Sequence, residues 1–202
     1  MSDLPPRDDQ PRSTGQTAGE PPAKRHTARW AAVTVLVVAA GLIAVLATRP
    51  PAAVTEVRSP LVGNPAPAVR GITVDGHAYA LTQPPGTFVV LNYFASWCVP
   101  CQQEGPELVR FDFQHRRVGD ARLVSVVFDD TTAAARTYQA TLGATWPTLA
   151  DPKGELALSY GVRAPPSTFL IAPDGRVVAY LVAPVTAAGL DALIARAKAT
   201  GA

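Results

Sequence analysis

Thr87-Phe88-Val89-Val90-Leu91-Asn92-Tyr93-Phe94-Ala95-Ser96-Trp97-Cys98-Val99-Pro100-Cys101 is the stretch from which the rest of the chain can be read. Residues 87–94 form a nearly continuous apolar and β-branched run, the pattern of a strand covered on both faces. Two cysteines separated by two residues follow it at once. Beyond them, residues 102–116 carry Leu108, Val109, Phe111 and Phe113 with charged residues between, which predicts a helix interrupted by Pro106.

Working outward, the turn residues Asp75-Gly76 divide residues 69–81 into two short extended segments, a hairpin-like entry to the domain. Residues 121–128 repeat the buried-strand pattern, and residues 131–142 read as a helix capped by Asp130 or Thr131. A short strand is expected near 147–149, a helix at 154–160, and strands at 168–171 and 176–181 joined by Pro173-Asp174-Gly175. An amphipathic helix over 185–199 closes the chain. Parallel strands with crossover helices, then a hairpin and a helix, predict a three-layer α/β domain with a central mixed sheet over residues 61–202.

The N-terminal part differs in kind. Residues 1–29 hold Pro5, Pro6, Pro11, Pro21 and Pro22 among polar residues, too little apolar surface to fold, and are expected to be a disordered cytoplasmic tail. Residues 30–48 contain no charge and are rich in Val, Ala, Leu and Ile, about long enough as a helix to cross a bilayer core of roughly 30 Å. Lys24, Arg25 and Arg29 before them hold the N-terminus on the cytoplasmic side, which makes this stretch a transmembrane signal-anchor and puts the domain outside the cell membrane. Residues 49–60, with Pro50, Pro51 and Pro60, read as a spacer. A formal net charge of +2 without a clustered basic face gives no footing for nucleic-acid binding.

Cys98 and Cys101 are the only cysteines in 202 residues. At the junction of a strand and a helix, the first sulfur faces the unpaired N–H groups and positive dipole end of the helix, which favours its thiolate, the attacking species in disulfide exchange. Cys98 is therefore the expected nucleophile, and Cys101, one helical turn on, the resolving thiol. A zinc site would need about four ligands, and only His26, His77 and His115 could add to the pair. An inert disulfide closing so short a loop would contribute little stability.

Trp97-Cys98-Val99-Pro100-Cys101 followed by Pro106 resembles the active-site signature of thioredoxins. Tyr160-Gly161-Val162-Arg163-Ala164-Pro165-Pro166-Ser167-Thr168-Phe169 resembles the segment that carries their cis-proline, so that the resemblance covers roughly residues 61–200. Within that superfamily, Leu91-Asn92-Tyr93-Phe94-Ala95-Ser96-Trp97-Cys98, Asp151-Pro152-Lys153-Gly154 and the anchor are most similar to the TlpA, ResA and CcmG type. The resemblance implies a thioredoxin-like fold, no cofactor, and Pro166 as the cis-proline beside which a substrate strand would lie. Ala164 replaces the usual glycine, and Pro165, lacking an N–H, removes one backbone donor to a bound peptide. With Trp97, these prolines form the expected substrate-binding surface.

The resemblance also implies a partly buried acid at Glu104, which could relay a proton to or from Cys101; a solvated helix glutamate is the alternative. Asn92 stands where thioredoxin itself has a buried aspartate. The function so implied is reduction of client disulfides outside the membrane, with apocytochrome c as a client and a membrane thiol donor to recycle the pair. Competing readings are a general oxidant or isomerase of secreted proteins, a thiol peroxidase, and a copper- or haem-handling module using the two sulfurs as ligands.

Overall fold

A computed structural model describes residues 25–47, 56–82 and 84–201. The chain divides into two compact units, Met1–Arg49 and Pro50–Ala202. In the first, helix α1 spans Arg25–Ala47, and the side chains of residues 30–42 are all exposed. The helix thus begins five residues inside the segment expected to be a tail, because Arg, Ala and their neighbours there are adequate helix formers on which an apolar helix can extend. The rest of that tail, residues 1–24, and the spacer residues 49–55 lie outside the described residues. Among the described residues no helix is long and apolar enough to cross a membrane. The part of α1 described with its side chains, 30–42, rises about 20 Å, against a bilayer core of about 30 Å.

The second unit is built on a five-stranded mixed sheet ordered β5-β4-β3-β6-β7. Its strands are β3 (Phe88–Phe94), β4 (Ala121–Val127), β5 (Thr148–Leu149), β6 (Ser167–Ile171) and β7 (Val177–Val182). β3 runs parallel to β4 and antiparallel to β6, so the expected order of parallel crossovers followed by a C-terminal hairpin is the order found. All seven residues of β3 are buried, as a strand covered on both faces requires.

Two helices cover one face: α2 (Val99–Val118) and α5 (Ala187–Ala199). Phe88 and Val90 of β3 meet Leu108 and Phe111 of α2 and Leu190 and Ile194 of α5. On the other face Val89, Leu91 and Tyr93 pack with Ala157 and Tyr160 of α4 (Glu155–Tyr160). Helix α3 (Thr132–Leu142) lies against α2, where Gly105 leaves room for it: a Cβ there would stand 2.7 Å from the Tyr138 hydroxyl and 2.9 Å from Leu142 Cδ1. Its cap is Thr131, whose Oγ1 accepts the Ala134 N–H, while Asp130 turns to other partners. α2 starts at Val99, three residues before the predicted start, because Pro100 fits a first helical turn. Pro106 lies inside the helix without ending it.

Both margins of the sheet are occupied. The hairpin of β1 (Arg70–Ile72) and β2 (Ala78–Ala80), turning at Gly76 with φ of 87°, lies along β5 through Val74 N–H to Thr148 O and Ala150 N–H to Ile72 O. At the opposite margin, Glu56 bridges Leu181, the Val57 N–H donates to Tyr180 O, and Val62 and Pro65 bridge Val177 and Arg176. Residues 56–60, expected as the end of a spacer, are therefore part of the domain, and Glu56 is further held by Arg196 of α5 at 2.6 Å. One polar cluster ties the helical face together: His115 of α2 bonds Asp120 through Nδ1 at 2.7 Å and Asp191 of α5 through Nε2 at 2.8 Å, and Lys198 reaches Asp120.

Candidate active site

β3 ends at Phe94, and the chain turns through Ala95, Ser96 and Trp97 into α2. That turn is fixed from outside: the Ser96 N–H donates to Asp130 Oδ2 at 2.7 Å, and Gln102 Nε2 donates back to Ser96 O at 2.7 Å. Cys98 is the residue that caps α2, its Sγ accepting the Cys101 N–H at 3.2 Å. The sulfur therefore occupies a position where helix N–H groups and the macrodipole stabilise negative charge. A disulfide joins Cys98 to Cys101, with their Cα atoms 5.2 Å apart. Both cysteines are buried in this oxidised form, Cys98 4% exposed and Cys101 1%. Trp97 stands beside Cys98, 57% exposed, with its indole N–H donated to Asp129 O at 3.0 Å.

The Pro165–Pro166 peptide is cis, as the resemblance implied for Pro166. The next residue, Ser167, opens β6 opposite Tyr93, and Thr168 is opposite Asn92. This register puts the two prolines at the end of the sheet from which residues 95–98 leave for the cysteines. Pro166 is buried and Pro165 partly exposed.

Glu104 resolves the choice between a buried and a solvated acid: it is 1% exposed. Cys101, Glu104, Leu108 and Phe111 form one buried stripe along α2, in which a carboxyl replaces the apolar residue the pattern would call for. Two donors admit it there. Asn92 Nδ2 donates to Oε1 at 2.8 Å, and the Val185 N–H donates to Oε2 at 3.0 Å. Burial pushes the carboxyl up to about 7, against the opposing pull of the Val185 N–H and the Asn92 amide. The same Asn92 amide donates to Thr168 Oγ1, while its Oδ1 is buried without a partner. A buried carboxyl thus lies one helical turn from Cys101.

Two residues that the sequence reading passed over complete the site. Tyr138 of α3 donates its hydroxyl to Cys101 O at 3.1 Å and so ties α3 to the first turn of α2. Burial, and after it the charge of Glu104, pushes this phenol up, which keeps it a donor. Asp129 adopts a left-handed backbone with φ of 45° and so aims its carbonyl at Trp97. Neither residue belongs to a motif; only the tertiary packing brings them here. Among the described residues no group of His, Cys, Asp and Glu could hold a metal ion.

Residues 61–194 match the Redoxin family model. The chain belongs to the Redoxin family. It is 35% identical over 126 residues to a thiol:disulfide interchange protein, the DsbE homolog of Paracoccus denitrificans, covering 59% of this chain and 65% of that one. It is 27% identical over 124 residues to the thiol-disulfide oxidoreductase ResA of Bacillus subtilis, covering 61% and 69%. The chain thus spans about two thirds of the length of these curated relatives. A crystal structure of a thiol:disulfide interchange protein from Chlorobium tepidum superposes with a TM-score of 0.61 at 25% identity, over 70% of this chain and 99% of that one. The fold is thioredoxin-like, the relatives make the chain a thiol–disulfide oxidoreductase, and the disulfide it carries is Cys98–Cys101.

Proposed function

We propose that this Redoxin protein is a membrane-anchored, extracytoplasmic reductant of client disulfides, with apocytochrome c among its clients. The observation that carries the reading is Cys98 at the N-terminus of α2 with the buried Glu104 in the stripe of Cys101. In the reduced protein the Cys98 thiolate attacks one sulfur of a client disulfide, forming a mixed disulfide and expelling a client thiolate. Cys101 then loses its proton and attacks Cys98 Sγ; the S–S bond to the client breaks and the second client thiolate leaves. Two electrons have passed from the protein dithiol to the client. Glu104, with its carboxyl poised near neutrality, takes the Cys101 proton. Trp97, Pro165 and Pro166 hold the client beside the sulfur.

The cellular setting is part of the proposal. An uncharged stretch at 30–48 preceded by Lys24, Arg25 and Arg29 supports an uncleaved anchor with the N-terminus in the cytoplasm, and the apolar side chains of 30–42 are open on every side of α1. A membrane thiol donor then keeps the couple reduced in an oxidising compartment. The names of relatives, a thiol:disulfide interchange protein and a thiol-disulfide oxidoreductase, support thiol–disulfide exchange over a metal-handling role.

The test is the reduction potential of the protein, equilibrated against defined thiol–disulfide buffers. A value near or below about −220 mV supports the reductant. A value near about −120 mV makes the protein an oxidant of secreted proteins, and the apocytochrome reading falls.

A further inference from the structure

A groove of about 820 Å³ opens in the Redoxin domain beside the loop that carries the cis-proline. Its walls are the segment 57–61 laid along β7, the end of α4 with the loop after it, and the margin of β7 at Val182. Apolar side chains stand open in it: Leu158 is 81% exposed, and Val57 and Val182 are also exposed. Apolar surface left uncovered and continuous marks a binding face. Arg58 and Arg163 are the charged residues of the lining, both exposed. Among the described residues neither guanidinium has an ion-pair or hydrogen-bond partner. Among those residues, too, no acidic side chain lines the groove, and Glu56, the carboxylate nearest Arg58 in sequence, is held by Arg196. Ala164 and Ser167 line it as well, one residue to either side of the cis Pro165–Pro166 pair, so the groove lies next to the cis-proline loop.

We infer that this groove selects client polypeptides in which acidic side chains flank apolar ones, carboxylates pairing with Arg58 and Arg163 and apolar groups covering Val57, Leu158 and Val182. The inference rests on the proposed function for calling the occupant a client. Two guanidinium groups that face no acidic side chain among the described residues attract acidic segments and repel basic ones, which adds discrimination and encounter rate to what a sulfur alone offers.

The test uses the full chain in its oxidised form and two fluorescein-labelled peptides of equal length with the same apolar residues, one carrying Asp and Glu, the other Asn and Gln. Fluorescence anisotropy should show the acidic peptide bound more tightly by about fivefold at low ionic strength, as two partly exposed ion pairs allow. In the Arg58→Gln/Arg163→Gln double variant the ratio should fall to about one, and Leu158→Ser should weaken both peptides alike. A ratio that survives the double substitution overturns the inference. So does displacement of the bound peptide by phosphatidylglycerol vesicles but not phosphatidylcholine vesicles, which would hand the arginines to a lipid surface. The oxidised protein has no free thiol, so binding is read apart from exchange. The same two peptides, each closed by a disulfide, are then offered to the reduced protein: selective binding without any reduction of that disulfide refutes the reductant and supports the groove, and equal reduction rates for both peptides do the reverse.

Discussion

Replacing Glu104 by Gln should change the pH dependence of stability in a way no other group here imitates. The carboxyl rises from an ordinary value of 4.5 to about 7 on folding, chiefly through burial. The folded state then holds this proton more tightly than the unfolded chain. Stability from this group is therefore greatest below about pH 4.5, falls as pH rises, and levels off above about pH 7, a total loss of about 3 kcal/mol. The glutamine side chain cannot ionise, so that slope disappears. Its amide must still offer a donor where Glu104 offered two acceptors, to the Val185 N–H and to Asn92. Rotating the Asn92 amide presents its unpartnered Oδ1 to the new donor at the expense of the bond to Thr168, a loss of about 1 kcal/mol. The variant should be less stable than the parent by about 1 kcal/mol at pH 4 and more stable by about 2 kcal/mol at pH 8, the two curves crossing at about pH 5. Equilibrium denaturation of both oxidised proteins across this range is the assay. Parallel curves would refute the reasoning, since every other titrating group is common to the two.

Cys101→Ser should accumulate mixed disulfides with model client peptides, visible as a mass increment on Cys98, whereas Cys98→Ser should accumulate none; capture by the latter alone would reverse the assigned order of attack. For His115, burial opposes the charged ring, but the hydrogen bonds to Asp120 and Asp191 outweigh it and hold its pKa above the ordinary histidine value. That stabilisation is complete below about pH 6.5 and fades as pH rises through the folded value, so His115→Gln should lower the melting temperature at pH 6 and much less at pH 9. Gly105→Ala forces a methyl against Tyr138 and Leu142, and even after the helix-propensity gain should destabilise the domain by about 1 kcal/mol in chemical denaturation.

The mixed sheet, with parallel strands before a C-terminal hairpin, was legible because β3 and β4 are continuous apolar runs, and because turn residues such as Asp174-Gly175 mark the hairpin that follows. The cysteine pair and Pro166 were legible because two motifs in the right order specify where each must sit. Glu104 was only half legible: its spacing from Cys101 placed it on the inner face, but its burial depends on a backbone N–H at Val185, 81 residues away. Tyr138 and Asp129 carry no local signal at all. His115 received no role from the sequence because its two carboxylate partners, five and 76 positions on, assemble only when α5 docks on α2. The start of the domain was misread for a similar reason: prolines at 50, 51 and 60 look like a linker, while the pairing of Glu56 and Val57 with β7 is a property of the sheet.

That pairing lays a segment of the chain along β7, and the β1–β2 hairpin lies along β5 on the opposite margin. An open strand at a sheet margin is a template on which a second copy can pair. Here the chain's own segments already occupy β5 and β7. A client strand, likewise, could add itself at those two strands only by displacing a segment of the chain, so that its recognition there falls to side chains rather than to backbone pairing.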